Sequence, residues 1–548
     1  MDTAKFEGTK RRALLASVST VAAIAALSYG ASGAAAASCE SLAGKIFGGV
    51  TIKAATAITP PFSVMGKDPP APVTVKAPFC RVEGSIKPSQ DSDIAFEVWL
   101  PPAPAWNGKY EGVGNGGFAG SLIYSPMEWA LEAGYAVSGT DTGHSGGTLD
   151  AAWAQGHPEK IVDFGWRAIH ETAAASKAIV EAYYAKAPAH SYFSGCSDGG
   201  REALLEAQRF PKDYDGIVAG APANSWTRLL TNAIWNQQAL VAKPGSWLSP
   251  EKLSTVTRAV LAECHGEGGY LDDPSQCRFD PASLVCKGDP SQECLTAPEA
   301  ATLTEIYSGA HDAAGKSIFP GYPPGGEAGP TAWSLWITGT EPKRGAATLL
   351  YGFGTGYFAN MVFDRPDWDF RSQTVSEDLA QADAKTAQTI NSTDTDLGAF
   401  QAAGGKLIQY HGWTDAGIPP TSSIDYYESV AAKMGGVESI QSFYRLFMAP
   451  GMDHCGGGPG PNAVGGVFGL PSPSRDPAHD VVSALAHWIE HGVAPTQITA
   501  TSYHEDDPSK GIAAQRPWCA YPAVARFSGQ GSGQGARTEA ASFACTAK

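Results

Sequence analysis

Ser197, Asp415 and His454 lie far apart in the chain, yet they carry the three groups that nucleophilic catalysis at an acyl carbon needs. A serine hydroxyl is a poor nucleophile at neutral pH and needs a base within hydrogen-bond reach. An imidazole can be that base, and a carboxylate fixes its tautomer and stabilises the imidazolium that forms. Ser197 stands in Gly195-Cys196-Ser197-Asp198-Gly199, between a short β-type run at 191–193 and a helical pattern with Ala203, Leu204 and Ala207 on one face. Strand, glycine-flanked serine, helix is the context that turns G-x-S-x-G into an elbow, with the hydroxyl raised above a sheet. Small residues on both sides let the strained turn form. The Asp198 N–H, at the helix start, can then face a developing oxyanion.

The motif has rivals. In a chain with 63 glycines, Gly143-His144-Ser145-Gly146-Gly147 is a second match. A strand at 136–140 precedes it, but the stretch from Thr148 through Gly156-His157-Pro158 is a poor helix, so context favours Ser197. His411, four positions before Asp415, is a rival base, and Asp453, beside His454, is a rival acid. Adjacent residues of an extended chain point to opposite sides, which argues against Asp453. In α/β-hydrolases the order is serine, acid, histidine, each on a loop after a strand, and Ser197, Asp415 and His454 have that order.

These residues need a sheet to carry them. Alternating β-type runs occupy 50–58, 73–75 and 94–100. The run at 109–113 enters a glycine cluster, 112–120, where such a fold places its second oxyanion donor. A strand at 135–140, a long helix at 163–184, the elbow, and a buried strand at 214–221 continue the alternation. It resumes with strands at 406–410 and 442–448 and helices at 426–434 and 477–492. The pattern predicts an α/β-hydrolase fold: a mostly parallel sheet with helices on both faces. Between 224 and 397 the alternation stops, and prolines, four cysteines and aromatic residues take over, which reads as a large inserted lid. The expected organisation is a leader at 1–37, catalytic halves at 38–223 and 398–548, and the lid between them. The lid residues Trp333, Trp336, Phe353, Tyr357 and Phe358 either grip a flat acyl group or form the lid's own core.

The net charge of −16 argues against nucleic acid, whose phosphates call for Lys and Arg. Lys5, Lys10, Arg11 and Arg12, an apolar run at 13–27 and small residues at 34–37 read as an export leader. No later stretch reads as a membrane span, so the mature chain is expected in the periplasm or outside the cell. Ten cysteines agree with an oxidising compartment. By position they suggest local brackets: Cys39 with Cys80, Cys264 with Cys277, Cys286 with Cys294, and Cys519 with Cys545. Cys196 and Cys455 remain, one just before the candidate nucleophile and the other just after the candidate base. A bond between them would clamp both loops if Ser197 and His454 meet.

Tyr192-Phe-Ser-Gly-Cys-Ser-Asp-Gly-Gly, Gly220-Ala-Pro-Ala, His411-Gly-Trp-Thr-Asp, Asp453-His-Cys, Val113-Gly-Asn-Gly-Gly-Phe-Ala-Gly and Asp141-Thr-Gly-His resemble the tannase/feruloyl esterase family. The resemblance runs from about Cys39 to the C-terminus. It implies an exported serine esterase for esters of aromatic acids such as ferulate or gallate, with relatives that take terephthalate monoesters or polyesters. It also implies the triad Ser197, Asp415 and His454, the Cys196–Cys455 bridge, and oxyanion donors at the Asp198 N–H and in the Gly116-Gly117 turn. The expected partner is a small aromatic ester, with no nucleic acid and no membrane once the leader is gone. A non-catalytic binding protein on the same fold is the reading from another class, and a missing triad member would favour it; none is missing.

The chemistry requires no cofactor. Lids of this family hold a calcium in an aspartate-rich loop, whereas here the region reads Cys264-His-Gly-Glu-Gly-Gly-Tyr-Leu-Asp-Asp-Pro-Ser-Gln-Cys277. Glu267, Asp272 and Asp273 supply few carboxylates for an ion that prefers six to eight oxygens. A Cys264–Cys277 bridge is the alternative fastening.

Overall fold

The computed structural model describes residues 37–47, 49–66, 70–342, 348–466, 469–529 and 537–547. The leader expected at 1–37 therefore lies outside them except for its last residue. Ten strands form the central sheet, in the spatial order Ile46–Phe47, Val50–Ile58, Phe79–Ile86, Ile94–Leu100, Ala136–Thr140, Lys109–Val113, His190–Cys196, Gly216–Gly220, Lys406–Gly412, Tyr444–Ala449. The first five pair antiparallel, and from Ala136–Thr140 onward every pair is parallel. The parallel strands are buried almost throughout, as expected of strands covered on both faces. Ala168–Tyr184, Asp198–Arg209 and Thr421–Lys433 pack on one face. Tyr124–Glu132 and Val481–His491 pack on the other. This is the α/β-hydrolase arrangement expected from the alternation.

Register puts the chemistry at one edge. Cys196 pairs with Gly220, Gly220 with Tyr410, and Tyr410 with Phe447, so the loops after these strands open at the same, C-terminal, side. The long helix expected at 163–184 is interrupted: Asp163–Arg167 forms a π-helical turn before Ala168–Tyr184. The cause is Arg201, whose guanidinium takes the Phe164 and Gly165 carbonyls at 3.0 and 2.7 Å. Those carbonyls are spent on a side chain 37 and 36 positions away, and the helix turn widens locally.

Among the described residues, the segment between Gly220 and Lys406 adds no strand to the sheet. Its helices include Trp226–Val241, Pro250–Glu263, Ala297–Ser308 and Leu349–Tyr357. At the C-terminus, Gln497–Tyr503 pairs with Ile512–Cys519 and Val524–Phe527 with Phe543–Thr546, two hairpin-like pairs that periodicity did not reveal. All ten cysteines are paired: Cys39–Cys80, Cys264–Cys277, Cys286–Cys294, Cys519–Cys545 and Cys196–Cys455. Five disulfides fit an oxidising compartment. Among the described residues, no helix is long and apolar enough to cross a membrane.

Candidate active site

Ser197 joins the strand His190–Cys196 to the helix Asp198–Arg209. Its backbone sits at φ 65°, ψ −120°, a region non-glycine residues rarely occupy and one that costs of order 1–3 kcal/mol. The turn is held on both sides: the Ser197 N–H donates to Gly220 O at 3.0 Å, and the Ser197 carbonyl accepts from the Arg201 and Ala223 N–H groups. Gly195 is required here, because a Cβ would stand 2.2 Å from the Gly199 carbonyl oxygen. The Asp198 N–H lies in the first turn of the helix, where no intrahelical acceptor exists. The Asp198 side chain turns away, ion-paired with the fully buried Arg201 at 2.5 Å.

Asp415 follows the strand Lys406–Gly412, and His454 follows Tyr444–Ala449. His454 Nδ1 lies 2.8 Å from Asp415 Oδ2. Asp415 Oδ1 accepts the Gly417 and Ile418 N–H groups at 2.7 and 2.8 Å, which fixes the carboxylate. Burial opposes ionisation of Asp415, but the attraction of His454 and the bonds from His411 and His454 outweigh it and hold the carboxyl well below its ordinary value. An ionised Asp415 keeps the proton of neutral His454 on Nδ1 and leaves Nε2 as the basic nitrogen.

The rivals stand elsewhere. His411 is fully buried, with Nε2 3.1 Å from both Asp415 Oδ2 and the Ile418 carbonyl and Nδ1 2.7 Å from Ser423 Oγ. It braces Asp415 from behind. Asp453 does not hold the His454 ring; it accepts from Thr414 Oγ1 at 2.7 Å and from Thr331 Oγ1 of the insertion. Ser145 is exposed in a loop, and no helix starts beside it: the next elements are the short turn Ala152–Ala154 and the helix Pro158–Val162.

Ser197 and His454 line one cavity of about 760 Å³ together with Gly116, Gly117, Trp336 and Phe353. That volume lies in the range of small-ligand pockets. Gly116 and Gly117 come from the glycine cluster and share the cavity wall with Ser197. The Trp336 ring meets His454 edge-on, centroids 4.8 Å apart at 70°, and stacks with Phe353 at 6.4 Å. The other three aromatics of this group take the alternative placement. Trp333 packs between Tyr307 and Tyr322 in the insertion's core. Tyr357 is buried and bonds Thr386 Oγ1 at 2.6 Å, while Phe358 stacks on Trp368. They are core because the buried face of each short helix is where they fall.

Sequence reasoning missed the remaining walls: Ser121, Ile123, Thr148, Leu149, Asp150 and Leu349. The one signal was position, since 147–150 directly follow the second glycine-serine motif. That motif turns out to brace the glycine loop. His144 Nε2 donates to the Phe118 carbonyl at 2.7 Å, and Gly146 N–H and Phe118 N–H bond across to Gly120 O and Thr148 O. Burial pushes His144 down to about 4, so it is neutral near pH 7.

The loop weighed for calcium does not fit the ion. Arg516 lies 2.7 Å from Asp272, and Arg537 pairs with Glu267. Two of the three carboxylates already have guanidinium partners, and no cluster of three or more His, Cys, Asp or Glu ligands exists among the described residues. Calcium's need for six to eight oxygens is not met there.

A model of the family described as "Tannase and feruloyl esterase" matches residues 80–546. An uncharacterized esterase of Xanthomonas campestris pv. campestris is 41% identical over 534 residues, covering 92% of this chain and 91% of its own. A probable feruloyl esterase B-2 of Aspergillus terreus is 31% identical, over 84% of this chain and 85% of its own. The crystal structure of feruloyl esterase B from Aspergillus oryzae superposes with a TM-score of 0.81 at 28% identity, covering 92% of this chain and 98% of that one.

Proposed function

The chain belongs to the tannase and feruloyl esterase family and is an ester hydrolase, and on that footing we propose an exported serine carboxylesterase that cleaves esters of flat aromatic acids through an acyl-enzyme on Ser197. The observation that carries the reading is the single cavity with Ser197 and His454 on its wall and Asp415 bonded behind the histidine.

In the first step His454 Nε2 takes the Ser197 proton as Oγ attacks the ester carbonyl carbon. The carbonyl π pair moves to oxygen, and the oxyanion is received by the Asp198 N–H and the Gly116-Gly117 loop. Collapse expels the alcohol, which takes the proton from His454. Water then enters, gives a proton to His454 and attacks the acyl-enzyme, and collapse of the second intermediate returns the proton to Ser197 and frees the acid. Asp415 stays ionised throughout and stabilises the imidazolium.

The flat acyl group is argued from Trp336 and Phe353, which stack side by side beside the reacting groups. Ferulate-type and gallate-type acids both suit that slot. Asp150 on the wall disfavours an acyl group that carries its own carboxylate, so terephthalate monoesters rank below neutral aromatic esters. Periplasmic or extracellular placement rests on the five disulfides and the leader-like N-terminus.

The test is hydrolysis of methyl ferulate, methyl gallate and a terephthalate monoester by purified protein. Ser197→Ala is expected to abolish turnover, and Asp415→Asn to lower kcat by about 10⁴-fold. Turnover that survives Ser197→Ala overturns the assignment of the nucleophile. Folded protein inactive on all three esters overturns the aromatic-acid reading.

A further inference from the structure

An oxyanion site made of backbone N–H groups is only as good as the loop that carries them. Half of this one sits on the rigid elbow helix. The other half, residues 114–117, is three glycines and one asparagine, a segment with almost no side chains of its own to anchor it.

The anchor comes from the elbow helix. Glu202, 1% exposed, stands one turn after Asp198, and its Oε2 accepts the Asn115 N–H at 2.9 Å. The Asn115 carbonyl accepts the Gly199 N–H at 2.9 Å, so both ends of the residue are bonded to one helix. The Asn115 side chain donates to the Ser121 and Thr140 carbonyls at 3.1 and 2.9 Å, which ties the far side of the loop. The fit is close: a Cβ on Gly114 would stand 2.7 Å from Gly199 Cα and 3.0 Å from Glu202 Oε2. Glu202 Oε1 has no hydrogen-bond partner among the described residues. Burial, with Asp198 adding like charge, pushes Glu202 well above the carboxylate range. Toward Asn115 the one bonded oxygen, Oε2, acts as an acceptor.

We propose that Glu202 is a positioning residue of the oxyanion site: it fixes the Asn115 peptide and so sets the Gly116 and Gly117 N–H groups against the oxyanion that forms at Ser197. It exchanges no proton with substrate. The inference rests on the esterase reading of the cavity and goes beyond it, because nothing in the serine–histidine–aspartate chemistry requires a second buried acid.

An acceptor role makes a sharp demand. Gln keeps the acceptor oxygen and places its NH₂ where the unbonded Oε1 stands, whereas Met keeps the volume and removes the acceptor. Glu202→Gln, Glu202→Met and Glu202→Ala are compared with wild type and Ser197→Ala on methyl ferulate, each normalised to folded enzyme by titrating the active serine with a fluorophosphonate. Binding of an arylboronic acid, which forms a tetrahedral adduct on the serine, is measured in parallel. Glu202→Gln is expected within about threefold of wild-type kcat. Glu202→Met and Glu202→Ala are expected to lose roughly 10- to 100-fold in kcat with KM nearly unchanged, and to weaken the boronic acid by a similar factor. A Gln variant as defective as the Met and Ala variants overturns the proposal, as does an acceptor-free variant with wild-type kcat or one that loses only KM. If Glu202→Met and Glu202→Ala do not fold, a Gln variant that folds and turns over normally supports it and one that folds but loses kcat overturns it. Activity that persists in Ser197→Ala would instead sink the esterase reading itself, a separate outcome.

Discussion

Cys196 and Cys455, 259 positions apart, are bonded to each other with their Cα atoms 6.0 Å apart, and each is the immediate chain neighbour of a candidate catalytic residue. The disulfide spans two loops that no strand pairing joins directly, since His190–Cys196 and Tyr444–Ala449 are separated in the sheet by two other strands. Both cysteines are buried. The double variant Cys196→Ala/Cys455→Ala is expected to lose roughly 10- to 100-fold in kcat on a ferulate ester, because a displacement of about 1 Å between nucleophile and base costs that much. Its melting temperature should also fall, in keeping with the 2–4 kcal/mol typical of a native disulfide. Mild reductant without denaturant should leave wild-type activity largely intact, since Cys196 is fully buried and Cys455 nearly so. A double variant with wild-type kcat would show that the sheet alone aligns the two loops.

The walls of the cavity decide which acid is taken. Trp336 touches both Phe353 and the His454 ring, so it is the residue through which an acyl group and the base share a surface. Trp336→Ala is expected to lower kcat/KM about tenfold for methyl ferulate and much less for an acetate ester, which lacks a ring to stack. Asp150→Asn should lower KM for a terephthalate monoester while leaving methyl ferulate unchanged, because only the first carries a charge to repel. Equal effects on both esters would remove Asp150 from the specificity argument.

Much of this site is legible in the chain, and the rest is hidden for a common cause. The elbow, the acid loop and the base loop each come after a strand with a strong period, so the pattern fixes their place. The cysteines beside Ser197 and His454 report their meeting because a disulfide is a distance constraint written into residue identity. Trp333 and Trp336 show the limit: three positions apart on one short helix, one is sealed between two tyrosines and the other faces the histidine. Composition is the same for both, and only the packing around them separates core from wall. The π turn at Asp163–Arg167 is illegible for a like reason, because its cause, Arg201, acts from another helix.

The insertion's loop at 264–277 is fastened by covalent and ionic means. Cys264–Cys277 closes it, and Arg516 and Arg537 reach Asp272 and Glu267 from the C-terminal segment. Chelation with EDTA is therefore expected to leave both the melting temperature and activity unchanged. Arg516→Met should lower the melting temperature by several degrees, since the mostly buried Arg516 guanidinium lies over the Tyr270 and Phe543 rings and that packing is lost. The Glu267–Arg537 pair is exposed at both ends, and Arg537→Met should change stability little. A marked fall in melting temperature on EDTA, restored by added calcium, would contradict this account.

Glu111 offers a pH signature that belongs to the fold and not to the chemistry. It lies buried in the strand Lys109–Val113, accepting the Ser194 hydroxyl at 2.6 Å. Burial pushes it up to about 7, with the Ser194 bond pulling the other way. In the unfolded chain a glutamate ionises near 4.5, so between about 4.5 and 7 the native state holds a proton that the unfolded state has lost. Stability from this group is therefore complete below about 4.5 and is lost as pH rises through 7. Its size is at most about 3 kcal/mol, from the span between the two values. Asp415 has the opposite sign: its folded value is depressed, so its contribution is present above the ordinary aspartate range and lost in acid. The two act in different windows and can be told apart. Glu111→Gln cannot ionise, so the stability difference between variant and wild type should shift in the variant's favour from pH 5 to pH 8. Urea midpoints across that interval measure it. Parallel curves would mean that Glu111 titrates in the folded protein as it does in water, and that its burial is relieved by solvent.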